Sequence, residues 1–126
     1  LTSFYGLQDS KALIIYLGGY HNHTKNMLLQ RIKNIFPKCA YYHFGDIDAG
    51  GFYILNHLKE ATGIPFKPYK MGITELETKS GYVKKLTDND KRRLGLMKQD
   101  NRFIEFWDVI KYMLEHNVKL EQEILD

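Results

Sequence analysis

The stretch Tyr41-Tyr42-His43-Phe44-Gly45-Asp46-Ile47-Asp48-Ala49-Gly50-Gly51-Phe52 decides how this chain is read. An apolar and aromatic run climbs into two aspartates, passes a pair of glycines and enters an amphipathic segment. That pattern predicts a strand, an acidic turn and a helix. Side chains at i and i+2 of a strand leave the same face, so Asp46 and Asp48 converge on one point. Two carboxylates brought together repel unless a proton or a cation lies between them. Hard oxygen donors of this kind suit Mg²⁺ or Mn²⁺, which bind through one or two carboxylates and share the other positions with water and phosphate oxygens. Gly50 and Gly51 leave the backbone bare where the helix starts, opening its positive end to an anion such as a phosphate. Aspartate is also a common turn and cap residue, so the spacing alone equally describes a structural turn. Its place between a buried-looking strand and Gly-Gly is what argues for chemistry.

Working outward from this stretch, Lys11 to Leu17 holds the continuous apolar run Ala-Leu-Ile-Ile-Tyr-Leu, as expected of a strand covered on both faces in a parallel sheet. Gly18-Gly19 ends it, and Tyr20 to His23 forms a polar loop. Asn22 or Thr24 caps a following helix with Met27, Leu28, Ile32 and Ile35 on one stripe, stopped by Pro37. Leu1 to Gln8 is too short to classify, although Phe4, Tyr5 and Leu7 suit one helical turn. After the central strand, a helix from about Gly51 carries Phe52, Leu55, Leu58 and Ala61 or Thr62, with Gly63 as its C-terminal cap and Pro65 beyond. Phe66 to Met71 reads as a short strand, placed near an edge by Pro68.

Strand, helix, strand, helix, strand predicts an α/β fold with a mainly parallel, Rossmann-like sheet and helices on both faces. Sites in such sheets gather outside the carboxyl ends of the strands, where Asp46, Asp48 and the Gly18 to His23 loop belong. Residues 72 to 86 show little periodicity. Thr87-Asp88-Asn89-Asp90 predicts a capping box opening a helix through about Lys98. Phe103, Phe106, Trp107, Ile110 and Met113-Leu114 form the strongest apolar stripe, and Val118 to Leu125 suits a last short helix. These segments make a helical C-terminal extension.

The 126 residues amount to one domain, residues 1–126. Hydrophobic content of 44% and charged content of 26% are those of a globular protein, and no run approaches membrane-spanning length or resembles a signal peptide. A single cysteine, Cys39, excludes an internal disulfide and suits a reducing, cytoplasmic setting. The net charge of +3 permits nucleic-acid binding without requiring it. Basic residues thicken between Lys79 and Arg102, and Lys84, Lys85, Lys91, Arg92 and Arg93 are the candidate phosphate contacts, a solvated helix face being the other reading. His21 and His23 follow a strand's carboxyl end, where either a site role or simple solvation is expected. Glu121 and Glu123 are candidate outer carboxylates or solvated helix residues. His43 sits out of phase with Asp46 and reads as a packed or edge residue. The chain begins at Leu1 rather than methionine, which suggests an excised or processed piece with something upstream.

The run His43-Phe44-Gly45-Asp46-Ile47-Asp48-Ala49-Gly50-Gly51-Phe52-Tyr53-Ile54-Leu55 resembles a Toprim domain. With Leu1-Thr2-Ser3-Phe4, Tyr16-Leu17-Gly18-Gly19 and Leu120-Glu121-Gln122-Glu123, the chain is similar to the Toprim-like C-terminal domain of the D subunit of Wadjet anti-plasmid nucleases. That family is related to the A subunit of topoisomerase VI. The resemblance implies a divalent cation held by a glutamate after the first strand and by an Asp-x-Asp that Asp46 and Asp48 match. It places the glutamate and the first strand upstream of Leu1. It further implies hydrolytic cutting of plasmid-like duplex DNA without a covalent tyrosine intermediate. The partners it implies are structural-maintenance-type subunits and a second copy of the chain.

Three readings follow. A metal-dependent DNA nuclease uses Asp46 and Asp48 to hold Mg²⁺ or Mn²⁺. An Asp-nucleophile phosphatase is disfavoured, because Ala49-Gly50 stands where such enzymes carry a residue and then Thr or Val. A non-catalytic nucleic-acid-binding or assembly module keeps only the fold. The intact aspartate pair favours the first.

Overall fold

The structure, a computed structural model, describes residues 2–6, 13–17 and 23–122; for the first two segments only the backbone pairing is described. The expectations for Gly18 to Asn22, His21 among them, and for Glu123 to Leu125 lie outside the described residues. Two compact units partition the chain: residues 1–44 with 54–69, and residues 45–53 with 70–126.

In the first unit, strand β1 (Thr2–Gly6) pairs antiparallel with β2 (Leu13–Leu17), Thr2 opposite Leu17 and Gly6 opposite Leu13. The expected N-terminal helical turn is therefore a strand, and the Leu13–Leu17 run has an antiparallel neighbour rather than a parallel one. The sequence between them is too short for the crossover that parallel pairing needs. Helix α1 (His23–Ile35) follows and buries Leu29 and Ile32. Met27, Leu28 and Ile35, expected on its inner stripe, are exposed. Apolar residues at 27, 28, 29, 32 and 35 fit two neighbouring faces, and packing selects the one through Leu29. Lys33 Nζ donates to the Pro37 carbonyl at 2.9 Å where the helix ends.

Strand β3 (Tyr42–His43) pairs in parallel with β4 (Lys67–Pro68). The Lys67 N–H donates to the Tyr41 carbonyl at 2.9 Å and the Tyr69 N–H to the His43 carbonyl at 2.8 Å. Pro68, lying between these two donors, falls where this ladder asks for no N–H, so its ring is tolerated. Tyr41 is buried edge-on against Phe66, their ring centroids 5.8 Å apart. Helix α2 (Ala49–Thr62) follows the expected pattern: Phe52, Leu55, Leu58 and Thr62 are buried. Its end is also as expected, with Gly63 at φ +70° donating its N–H to the Lys59 carbonyl. Thr62 Oγ1 donates to the Leu58 carbonyl and accepts from the Ile64 N–H, while Gln30 Nε2 donates to the Thr62 carbonyl.

The architecture is mixed α/β, but the described strands form two separate two-stranded pairs, one antiparallel and one parallel. They do not form the expected mainly parallel sheet with helices on both faces. β3 and β4 hold only two residues each, because the chain leaves extended pairing before the aspartates and takes up its next bridge with a distant segment.

In the second unit, helix α3 (Ile73–Thr78) lies in the stretch that shows no periodicity. Six residues are too few for a repeat to register, and its start is set by Glu75 Oε1, which accepts from the Gly72 N–H at 2.9 Å. Helix α4 (Asp88–Met97) opens with the expected capping box: Thr87 Oγ1 accepts from the Asp90 N–H at 3.0 Å, and Asp90 Oδ2 from the Thr87 N–H at 2.8 Å. The long stripe from Arg102 is split into a 3-10 helix (Asn101–Phe106) and helix α5 (Trp107–His116). Phe103 carries non-helical angles inside the 3-10 segment, and Trp107 Nε1 donates to the Met97 carbonyl at 2.9 Å. Phe103, Phe106, Val109, Ile110 and Met113 are buried, and Phe106 stacks on Phe52 with centroids 4.4 Å apart. Each of these large side chains contributes about 2 kcal/mol from area removed from water. Leu114 is only half-buried.

The expected last helix is not formed by residues 118–122. Asn117 turns the chain through φ 57°, and its Oδ1 accepts from the Leu86 N–H at 3.3 Å. The following residues run extended, bridging Lys84 through Lys119 and Ile47 through Leu120. These residues extend because Lys119 and Leu120 find main-chain partners in Lys84 and Ile47. Among the described residues, no helix is long and apolar enough to cross a membrane.

Candidate metal centre

Ile47, between the two aspartates, exchanges both main-chain hydrogen bonds with Leu120: its N–H donates to the Leu120 carbonyl at 2.8 Å and its carbonyl accepts from the Leu120 N–H at 3.1 Å. Both residues are fully buried. A strand-like bridge at Ile47 turns Asp46 and Asp48 away from the buried side, and both are half-buried.

Asp48 precedes helix α2 as its N-cap, with Oδ1 accepting from the Gly51 N–H at 2.6 Å. Gly51 is buried because the first turn of α2 lies against the aspartate turn: a Cβ there would stand 2.0 Å from the Asp46 carbonyl oxygen. One Cβ on Gly50 would meet only Asp48 Oδ1, at an ordinary 3.5 Å. The two glycines thus differ. Gly51 exists for close approach and gives its N–H to Asp48.

Asp46 Oδ1 accepts from the main-chain N–H of Gln122 at 2.7 Å. Gln122 is 1% exposed, and its side-chain amide is fully used. Nε2 donates to the Gly45 and Lys70 carbonyls, each at 2.8 Å, and Oε1 accepts from Lys79 Nζ at 3.3 Å. Nearby, Lys119 Nζ donates to Asp90 Oδ2 at 2.7 Å in an ion pair whose side chains are 18% and 13% exposed.

Burial pushes the Asp48 carboxyl above the ordinary aspartate value of 3.8. The Gly51 N–H opposes this, the Asp46 charge adds to it, and Lys119 and Asp90 act weakly in opposite directions. For Asp90, burial also acts upward, but the hydrogen bonds from Lys119 and Thr87 outweigh it and hold the carboxyl below its ordinary range.

The structure therefore brings together Asp46, Asp48, Gly50 and Gly51. Glu121 is engaged elsewhere, its Oε2 accepting from Lys84 Nζ at 3.1 Å. His23 is exposed in the first turn of α1, and His43 lies half-buried in β3. Of the basic candidates, Lys84 pairs with Glu121, Arg92 donates to Asn89 Oδ1 at 2.7 Å, and Arg93 lies 5.1 Å from the centroid of the Tyr53 ring. Lys85 and Lys91 are exposed. Sequence reasoning missed Gln122 and the ion pair of Lys119 with Asp90. A glutamine between two glutamates carries no periodic signal, and Asp90 was legible only as a cap.

Among the described residues, no group of three or more His, Cys, Asp or Glu side chains is placed to hold a metal. Asp46 and Asp48 provide two hard oxygen donors, and the negative charge crowded at half-buried Asp48 is of the kind a divalent cation relieves. Two carboxylates fit Mg²⁺ or Mn²⁺, whose other positions are filled by water and phosphate oxygens.

A mixed α/β domain with an Asp-x-Asp turn whose second aspartate caps the following helix is the class that this geometry defines. The family described as Wadjet protein JetD, C-terminal, matches residues 2–126, and the chain belongs to it. It is 25% identical over 130 residues to a Wadjet protein JetD of Bacillus cereus (strain Q1), covering 99% of this chain and 32% of that protein. The chain thus spans about a third of the length of the curated relative it matches.

Proposed function

We propose that this domain is the metal-dependent nuclease centre of a Wadjet-type anti-plasmid defence protein, hydrolysing phosphodiester bonds of DNA on a Toprim-like fold. The observation that carries the reading is the placing of Asp46 and Asp48 on either side of a buried bridge, where burial first and the Asp46 charge second raise the Asp48 carboxyl. Mg²⁺ or Mn²⁺ would supply charge stabilisation at the scissile phosphate and an activated water. Asp46 and Asp48 are the residues that would hold it. Each has one oxygen fixed by a main-chain N–H, which sets its orientation before a ligand arrives. Lys85 and Lys91, with Arg92 and Arg93 on the same helix as Lys91, offer the positive charge that a DNA backbone needs. Membership of the Wadjet JetD family supports a place in a defence system; the proposed partners are structural-maintenance-type subunits and a second copy, and the proposed compartment is the cytoplasm.

The test is Mg²⁺- or Mn²⁺-dependent cleavage of plasmid DNA by the full-length protein with its partner subunits. Asp46→Ala and Asp48→Asn should each abolish cutting, and retained cutting in the double variant would overturn the assignment. A non-catalytic assembly module is the second reading, favoured by one observation: both aspartates already serve structural hydrogen bonds. Partner assembly and DNA binding without any metal-dependent cleavage would decide for it.

A further inference from the structure

Asp46 is oriented by a group 76 positions away in the sequence. The main-chain N–H of Gln122 reaches its Oδ1, and that N–H is itself held by an extended segment with few other anchors. Leu120 is fixed by its two hydrogen bonds to Ile47, and Lys119 by two to Lys84. Beyond Leu120, Glu121 pairs with Lys84 at the surface, and the buried anchor is the Gln122 side chain. Its amide grips the Gly45 carbonyl, immediately before Asp46, and the Lys70 carbonyl, whose residue holds a left-handed φ of 54°. Lys79 completes the amide's oxygen. A buried glutamine satisfied at three points has little freedom, because each alternative rotamer strands a donor or a carbonyl away from water.

We infer that Gln122 is a positioning residue for the aspartate pair: its side chain locks the segment 120–122 against Gly45 and Lys70 and so fixes the oxygen of Asp46 that faces its N–H. The inference rests on the metal-centre reading for its functional consequence but not for its structural one. The bridge at Ile47 sets the backbone between the two aspartates, whereas Gln122 sets the Asp46 carboxylate itself. Orientation at this level matters, since a displacement of about 1 Å in a reacting group costs on the order of a hundredfold in rate. Ligand-orienting partners one step out typically alter metal affinity by about 10- to 100-fold when removed.

The experiment compares full-length wild type with Gln122→Met, which keeps the length but offers no donor to the two carbonyls. Gln122→Glu, which retains the acceptor for Lys79, is the second variant should the first not fold. Met113→Ala, which truncates a side chain buried in α5 and leaves the main chain intact, is the control for lost stability alone. Two readouts are taken: the Asp46 side-chain position in metal-free crystals, and Mn²⁺ affinity by calorimetry. The expected result is a displaced Asp46 carboxylate and an affinity at least about 10-fold weaker in the Gln122 variant than in an equally destabilised Met113→Ala protein. An unmoved Asp46 overturns the positioning role, and so does a loss of affinity equal to that of the control. A displaced Asp46 in a protein whose wild type shows no Asp46-dependent Mn²⁺ binding overturns the metal reading while leaving Gln122 as the group that orients Asp46.

Discussion

A Cβ atom on Gly51 would stand 2.0 Å from the carbonyl oxygen of Asp46 and 3.3 Å from Oδ1 of Asp48. The nearest atom is backbone, so it cannot swing aside, and helix α2 would have to lift from the aspartate turn. Gly51→Ala should therefore destabilise the fold by about 3 kcal/mol, at the upper end of overpacking costs. Gly50→Ala, whose Cβ meets only ordinary contacts, should leave the midpoint of chemical denaturation nearly unchanged. Equal effects at the two positions would show that the close approach is not what Gly51 provides.

Asp48 has a structural duty as well as its candidate chemical one, and two substitutions separate them. Asparagine accepts from the Gly51 N–H as well as aspartate does, whereas alanine loses the cap and about 1 kcal/mol with it. Divalent-cation binding should fall in both Asp48→Asn and Asp48→Ala, while thermal melting should drop only in the second. Mn²⁺-induced paramagnetic broadening around residues 45–51, lost in both variants, is the measurement.

The pH dependence of the same group has a definite sign. Burial raises Asp48, with the Asp46 charge adding to it, so the folded chain holds this proton more tightly than the unfolded chain. Its stabilising contribution is fully present below the ordinary value of 3.8 and is lost as pH rises through the raised folded value. Asp48→Asn removes this loss. Its melting temperature should exceed that of wild type near neutrality by more than it does at about pH 4.

Asp90 runs the other way. Burial acts upward, but Lys119 and Thr87 outweigh it, so the contribution is present above 3.8 and lost as pH falls through the depressed folded value. Asp90→Ala removes a cap and leaves a largely buried ammonium without its carboxylate. A loss of about 2 kcal/mol near neutrality is expected, below the range for a fully buried pair because water still reaches Lys119. Denaturation at two pH values measures both effects.

For DNA, the exposed Lys91 should contribute more than Arg93, which lies over the Tyr53 ring. Lys91→Ala should lower the slope of log affinity against log salt by about 1, with little change in sequence preference. Fluorescence anisotropy on a duplex across a salt series reads this directly. An unchanged slope would assign Lys91 to a solvated face.

The elements legible in the sequence are those whose signals are local. Thr87 and Asp90 announce the start of α4 because their reciprocal bonds span three residues, and Gly63 announces the end of α2 because its left-handed turn is made there. Phe52, Leu55 and Leu58 declare their face by spacing alone. In α1 the same reasoning chose the face of Met27 and Leu28, since three consecutive apolar residues give no phase and only the neighbouring surface selects Leu29. The segment from Val118 to Gln122 was unreadable for another reason. Its partners, Ile47, Lys84 and Asp46, are far away in the chain, and single-residue bridges leave no alternation long enough to detect. The aspartate pair was visible through its setting, but the glutamine that touches it was not.

Synthesis gives the contact between Asp46 and Gln122 a timetable. The two residues are 76 positions apart, and at about 5 to 20 residues per second the ribosome needs roughly 4 to 15 seconds to add the second after the first. During that interval Asp48 can already cap α2, since Gly51 is only three residues on, but no Gln122 N–H exists to hold Asp46. In the nascent chain the residues that cap α2 are thus all present before the donor to Asp46 exists. The proposed metal centre is left unfinished until residues 119–122 have been made.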